Sequence, residues 1–205
     1  MATGGDGEAR LEAVVLAAGS GARFGGGKLT HPWRGGALID GALAAAFAAP
    51  VRSVTVVTGA DLGVEIAAAA FAARTGAAPR LRMVECADHA EGMGASLRAG
   101  IASLPADAAG AFVFLGDMPC VPPAVLPRLV AALATGATAA APIHAGRRGH
   151  PVLFSRQLFA ALSAARGDEG ARTALKALGD RLELIETDDD GVLFDVDRPD
   201  DVKAR

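Results

Sequence analysis

Lys28 closes the stretch of this 205-residue chain whose residue types and spacing point most directly to chemistry: Val14-Val15-Leu16-Ala17-Ala18-Gly19-Ser20-Gly21-Ala22-Arg23-Phe24-Gly25-Gly26-Gly27-Lys28. An apolar run passes straight into a Gly-rich loop that carries one arginine and one lysine. Glycine lets a backbone approach a ligand closely and turn successive N–H groups inward, and cations offset polyphosphate charge. The stretch therefore reads as a phosphate cradle. Two standard cradles fail on register. A P-loop would need Gly where Ala22 stands and Ser or Thr where Leu29 follows the lysine. A dinucleotide fingerprint beginning at Gly19 would need its third glycine at Phe24.

Two aspartates are placed to hold a divalent cation. Asp117 lies just past the apolar run 111–115, and Asp197 just past 192–196. Mg²⁺ prefers oxygen ligands and is usually held by one or two carboxylates plus substrate phosphates. Helix capping is the competing reading for both, because Pro122 and Pro199 mark helix starts. His150 precedes Pro151, where a structural hydrogen bond competes with a ligand contact. Arg147 and Arg148 suit either an anionic phosphate or a solvated loop. Arg172 is spaced to pair with Asp168 at i, i+4 or to meet a ligand. Cys86 and Cys120 read as packing residues.

The elements that must position these groups follow from hydrophobic pattern. Apolar runs at 13–17, 53–58, 81–85, 111–115 and 137–142 alternate with helical patterns at 37–48, 61–74, 93–104 and 122–133. The runs are short and bounded by Gly, Pro or polar residues, as buried parallel strands are. Repeated βα units imply an α/β three-layer sandwich, a Rossmann-like, mostly parallel sheet with helices on both faces. Lys28 and Asp117 then share the carboxyl edge of the sheet, where such folds bind ligands. After Pro142 the expected elements are a strand at 150–154, a helix capped by Ser155, a short helix at 173–178, strands at 182–186 and 192–196, and a terminal helix opened by Pro199. Residues 1–10 read as a flexible tail and 11–205 as a single domain.

Composition bounds the partners. With 20 basic and 23 acidic side chains the net charge is -3, which gives no broad positive field for nucleic acid. A chain that is 51% hydrophobic and 21% charged is globular rather than disordered. No apolar run approaches the roughly 18 residues of a membrane span. The first residues carry acids and no apolar core, unlike a secretory signal. Two cysteines without a CxxC signal neither a disulfide framework nor a zinc site. The expectation is a cytoplasmic protein without membrane or nucleic-acid partners.

The loop L-A-A-G-S-G-A-R-F-G-G-G-K, from Leu16 to Lys28, resembles the signature of nucleotidyltransferases that activate a phosphorylated acceptor with an NTP. More narrowly it is similar to the molybdenum cofactor cytidylyltransferase branch of the MobA-like group. The likeness continues in order through Gly92-Met93-Gly94-Ala95-Ser96-Leu97, Leu115-Gly116-Asp117-Met118-Pro119, Gly149-His150-Pro151-Val152-Leu153-Phe154, Gly167-Asp168-Glu169-Gly170-Ala171-Arg172 and Asp195-Val196-Asp197-Arg198-Pro199. Phe24 stands where the family usually has Met, Arg198 replaces a usual Thr, and residues 30–36 follow the pattern loosely.

The resemblance implies a nucleotide-diphospho-sugar transferase-like fold, CTP as donor and Mg²⁺ as cofactor. Leu16, Ala17, Ala18, Gly19, Gly21, Arg23, Lys28, Gly92, Ser96 and Asp117 would bind the nucleotide, with Arg23, Lys28 and Asp117 catalytic and Asp117 and Asp197 on the metal. His150, Arg148 and Arg172 would meet the acceptor. That acceptor is implied to be the phosphate of molybdenum-bearing molybdopterin, with a molybdenum hydroxylase as client. Ala17-Ala18 in place of the L-x-G-G of guanylyl relatives points to CTP. Two rivals stand beside this: a cytidylyltransferase for isoprenoid or sugar phosphates, and a non-catalytic cofactor carrier.

Overall fold

The computed structural model describes residues 10–59, 61–167 and 171–204; residues 1–9 of the expected tail and Asp168 fall outside them. The sheet grows from β1 (Leu11–Leu16), buried along nearly its whole length as a central strand must be. A small hairpin, β2 (Pro32–Trp33) and β3 (Gly36–Ala37), precedes α1 (Ile39–Ala48). Then β4 (Val54–Thr58) joins one side of β1 in parallel, and α2 (Leu62–Thr75) crosses over to the parallel edge strand β5 (Leu81–Glu85). The chain returns through α3 (Met93–Ala102) to β6 (Gly110–Leu115), parallel on the opposite side of β1. Next come α4 (Leu126–Ala134), β7 (Ala139–His144), β8 (Arg147–Arg148) and β9 (Val152–Ser155), with β9 inserted antiparallel between β6 and β7. After α5 (Phe159–Ser163) and α6 (Arg172–Leu178), β10 (Leu182–Glu186) pairs with β7 in parallel at the far edge. The order across the sheet is β10-β7-β9-β6-β1-β4-β5. No helix among the described residues is long and apolar enough to cross a membrane.

Strand periodicity sorts the core into two layers. Ala13, Val15, Phe112 and Phe114 pack with Leu43 of α1, Phe71 of α2 and Leu129 of α4. Val113 packs with Leu97 and Ile101 of α3, Leu162 of α5 and Leu175 of α6, while Val14 and Val57 pack with Ala95 of α3. The expected three-layer sandwich is the observed one. Small residues let α3 lie close to the sheet: a Cβ on Gly100 would stand 2.5 Å from Val14 Cγ1 and 3.1 Å from Val57 Cγ2. The one charge in β1, Glu12, is buried but satisfied. Its carboxylate accepts from Arg52 Nε at 2.7 Å and from Ser53 N and Oγ at 3.1 and 2.6 Å.

Sheet order fixes where a ligand can enter. The chain runs outward from β1 to β4 and β5, then restarts at β6 on the other side of β1. Loops leaving β1 and β6 therefore diverge and open a crevice at the carboxyl edge. One expected element is absent. The 192–196 stretch, read as a strand from its apolar residues, instead begins in a 3-10 turn over Asp190–Val192 and continues as a loop that joins neither sheet among the described residues. Leu193 N donates to Asp190 O, and Val196 N donates at 3.0 Å to Asp117 O. Local turns and a loop carbonyl take the donors that a ladder would need. Ser155 has the extended backbone of a cap, but its hydroxyl makes no cap hydrogen bond.

Candidate active site

The loop after β1 is folded by its glycines. Gly21 enters a 3-10 turn over Ala22–Phe24 at φ 61°, and Gly25, Gly26 and Gly27 follow at φ 93°, 93° and 61°. Three consecutive left-handed residues are a conformation that only glycine adopts cheaply. The turn is closed by Phe24 N and Gly26 N, both donating to Gly21 O. It brings the chain back on itself, so that a Cβ on Gly21 would lie 3.0 Å from Lys28 Cβ. Leu29, buried beyond the lysine, anchors the return: its carbonyl accepts from Ile39 N at the start of α1.

Lys28 points at two carboxylates. Its Nζ lies 2.6 Å from Asp117 Oδ2 and 3.6 Å from Asp197 Oδ1, and Arg23 reaches Asp197 Oδ2 at 3.2 Å. The hydrogen bond from Val196 to the Asp117 carbonyl holds the two acidic segments together, and Val196 is buried against Trp33 and Leu38. The capping alternative is not realised for either aspartate. Asp117 spends its carboxylate on Lys28, and the 3-10 turn after Pro122 has no side-chain cap. At the terminal turn it is Asp201 that accepts from Asp197 N and Arg198 N, leaving the Asp197 side chain to the cations. Asp195, not singled out by the sequence pattern, faces the same cluster: partial burial and the charges of Asp117 and Asp197 raise its carboxyl above the ordinary aspartate value.

The donor set is oxygen only, which suits a hard divalent cation. Among the described residues no group of three or more His, Cys, Asp or Glu gathers as a metal cage. A cation between Asp117 and Asp197 would thus need further oxygens from a ligand, as phosphates would provide.

A cleft of about 540 Å³ opens here. Leu16, Ala17, Ala18, Gly19, Gly21, Lys28, Gly92, Ser96 and Asp117 all line it, so nine of the expected nucleotide residues are brought together; Arg23 stands outside, reaching Asp197. Gly92 and Ser96 arrive there because α3 begins at the cleft. Met93, from the Gly92-to-Leu97 segment, joins them, and His89 and Ala90 complete this wall with no motif of their own beyond their place after β5. A second cavity of about 180 Å³ adjoins the first, shares Leu16, Met93 and Leu115 with it, and holds Arg148, His150 and Arg172 over an apolar floor that includes Phe154 and Leu175. Burial pushes the His150 imidazole down to about 4, with Arg148 acting in the same direction and Asp117 against it. His150 is therefore neutral at pH 7, and its buried Nδ1 has no hydrogen-bond partner among the described residues. Burial and the charge of Arg172 also lower Arg148.

A doubly wound sheet with its cleft at the point where strand order reverses defines a ligand-binding α/β protein. The chain belongs to the family with a MobA-like NTP transferase domain, whose model matches residues 13–182. It is 32% identical over 197 residues to nicotine blue oxidoreductase of Paenarthrobacter nicotinovorans, covering 90% of each chain. It is 25% identical over 193 residues to molybdenum cofactor cytidylyltransferase of Escherichia coli K12, covering 93% of each. The crystal structure of Rv0371c from Mycobacterium tuberculosis H37Rv is similar at 28% identity and a TM-score of 0.76, over 96% of this chain and 97% of that one. That protein has also been crystallised in complex with manganese.

Proposed function

We propose that this protein transfers the CMP group of CTP to the phosphate of a molybdopterin-type acceptor, releasing pyrophosphate, with Mg²⁺ as the metal. The observation that supports this most is the pair of adjoining cavities. The larger has Lys28 and Asp117 in its wall, and the smaller, with two arginines and a neutral histidine, opens beside it. Donor and acceptor thus have neighbouring berths.

In this reading an oxygen of the acceptor phosphate attacks the α-phosphorus in line, the bond to the β-phosphate oxygen breaks, and pyrophosphate leaves. A phosphate nucleophile is already ionised, so catalysis is mostly positioning and charge neutralisation. Arg23 and Lys28 offset the triphosphate charge. Asp117 and Asp197 hold the Mg²⁺, which when bound neutralises phosphate oxygens. Gly92 and Ser96, at the start of α3, flank the base. Arg148 and Arg172 take the anionic end of the acceptor, beside the neutral His150 imidazole in the same cavity. The reaction belongs in the cytoplasm, upstream of a molybdenum hydroxylase client.

A second reading has its own observation, the higher identity to a protein named nicotine blue oxidoreductase. A dinucleotide fingerprint is not met at Gly19, because Phe24 fills its third glycine position. One experiment separates the two. The protein is incubated with CTP, Mg²⁺ and molybdopterin while pyrophosphate is followed, and in parallel with reduced nicotinamide cofactor and nicotine blue while absorbance is followed. Pyrophosphate release that requires molybdopterin supports transfer. Cofactor oxidation without pyrophosphate supports the second reading. Release with sugar or isoprenoid phosphates instead would move the acceptor class.

A further inference from the structure

We infer that Lys28 is an internal counter-ion that closes the divalent-cation site of the free protein, so that metal binding follows triphosphate binding. The inference rests on the nucleotidyl-transfer reading and goes beyond it by setting an order of events. Both carboxylates that would hold the cation are already engaged: Lys28 Nζ sits 2.6 Å from Asp117 Oδ2 and 3.6 Å from Asp197 Oδ1, while Arg23 takes the second Asp197 oxygen at 3.2 Å. The lysine is not a loosely held surface cation, since its side chain is only 13% exposed. Its backbone is fixed on one side by Gly21 and on the other by buried Leu29. The acids are equally fixed, through the hydrogen bond from Val196 to the Asp117 carbonyl.

A free divalent ion must therefore displace an ammonium from an oxygen at hydrogen-bond distance, or sit against its positive charge. A triphosphate removes that obstacle. Lys28 lines the same cleft as Gly19 and Gly21, so phosphates seated in the loop offer it a more highly charged partner and release Asp117 and Asp197 for the metal.

The test is direct binding of Mn²⁺, an EPR-visible stand-in for Mg²⁺, to nucleotide-free protein. Lys28→Met should bind Mn²⁺ at least about tenfold more tightly than wild type, because a competing positive charge is gone. Lys28→Arg, which keeps the charge, should stay close to wild type. The double variant Lys28→Met/Asp117→Asn should lose the gain. Thermal melts check that each variant is folded, and Lys28→Gln serves if Lys28→Met is not. An affinity of Lys28→Met no higher than wild type, or a gain that persists in the double variant, overturns the inference. If wild type transfers CMP while the Mn²⁺ gain is absent, the counter-ion role alone falls. If no form binds Mn²⁺ and no transfer occurs, the functional reading falls with it.

Discussion

Replacing Asp117 by asparagine keeps the shape of the side chain and removes one of the two negative charges that converge on Lys28. In the free protein the cost should be small. The Lys28 and Asp117 side chains are 13% and 26% exposed, and Lys28 keeps Asp197 as a partner. A loss of about 1 kcal/mol, or about 2–4 °C in melting temperature for a chain of this size, is the expected scale. Turnover should respond far more. A hard dication held by two carboxylates and phosphates loses half of its protein charge, which should remove about 4 kcal/mol of transition-state stabilisation and slow the reaction on the order of 10³-fold. The assay is CTP-dependent pyrophosphate release at saturating Mg²⁺, beside a thermal melt of the same preparation. A slow, folded variant supports the metal role. Wild-type turnover would refute it, and a collapsed melting temperature with lost activity would make Asp117 a structural residue.

Lys28→Ala should raise KM for CTP at least about tenfold, near 1.4 kcal/mol, without unfolding; unchanged CTP kinetics would remove the phosphate cradle. In competition, CTP should outcompete GTP at least about tenfold, and equal use would leave the fold intact while removing the cytidylyl preference. Gly100→Ala should destabilise by about 1–2 kcal/mol in urea, because a Cβ 2.5 Å from Val14 Cγ1 outweighs the helix preference for alanine; a more stable variant would show that α3 has room to move. His150 predicts a pH effect. Its folded value near 4 lies below the ordinary 6.5, so the unfolded chain takes up a proton that the folded one refuses. Its contribution is complete above about pH 6.5 and is lost as pH falls towards 4, worth up to about 3 kcal/mol. The stability of wild type should thus fall more steeply over that window than that of His150→Gln, and parallel pH curves would contradict the burial argument.

The central strands were legible because apolar runs such as Val54–Thr58 and Gly110–Leu115 are short, bounded and followed by helical patterns. The site was legible where chemistry sits on one continuous segment, as from Leu16 to Lys28. What escaped was set by distant parts of the chain. Nothing in Val152–Ser155 reveals that it pairs antiparallel with β6 on one side and β7 on the other. The two-residue strands at Pro32–Trp33 and Gly36–Ala37 are too short to carry a period. The 192–196 stretch has strand-like composition, but its donors go to Asp190 and to the Asp117 carbonyl. Asp117, expected to hold a cation or to cap a helix, is paired with a lysine 89 positions away in sequence, a contact that only the fold creates.

The most direct test of nucleotidyl transfer is to supply wild-type protein with CTP labelled at the α-phosphorus, Mg²⁺ and molybdopterin, and to follow label and pyrophosphate together. The account predicts label in a pterin-linked product and one pyrophosphate for each product formed. Intact CTP after prolonged incubation with a folded protein and a competent acceptor would contradict it.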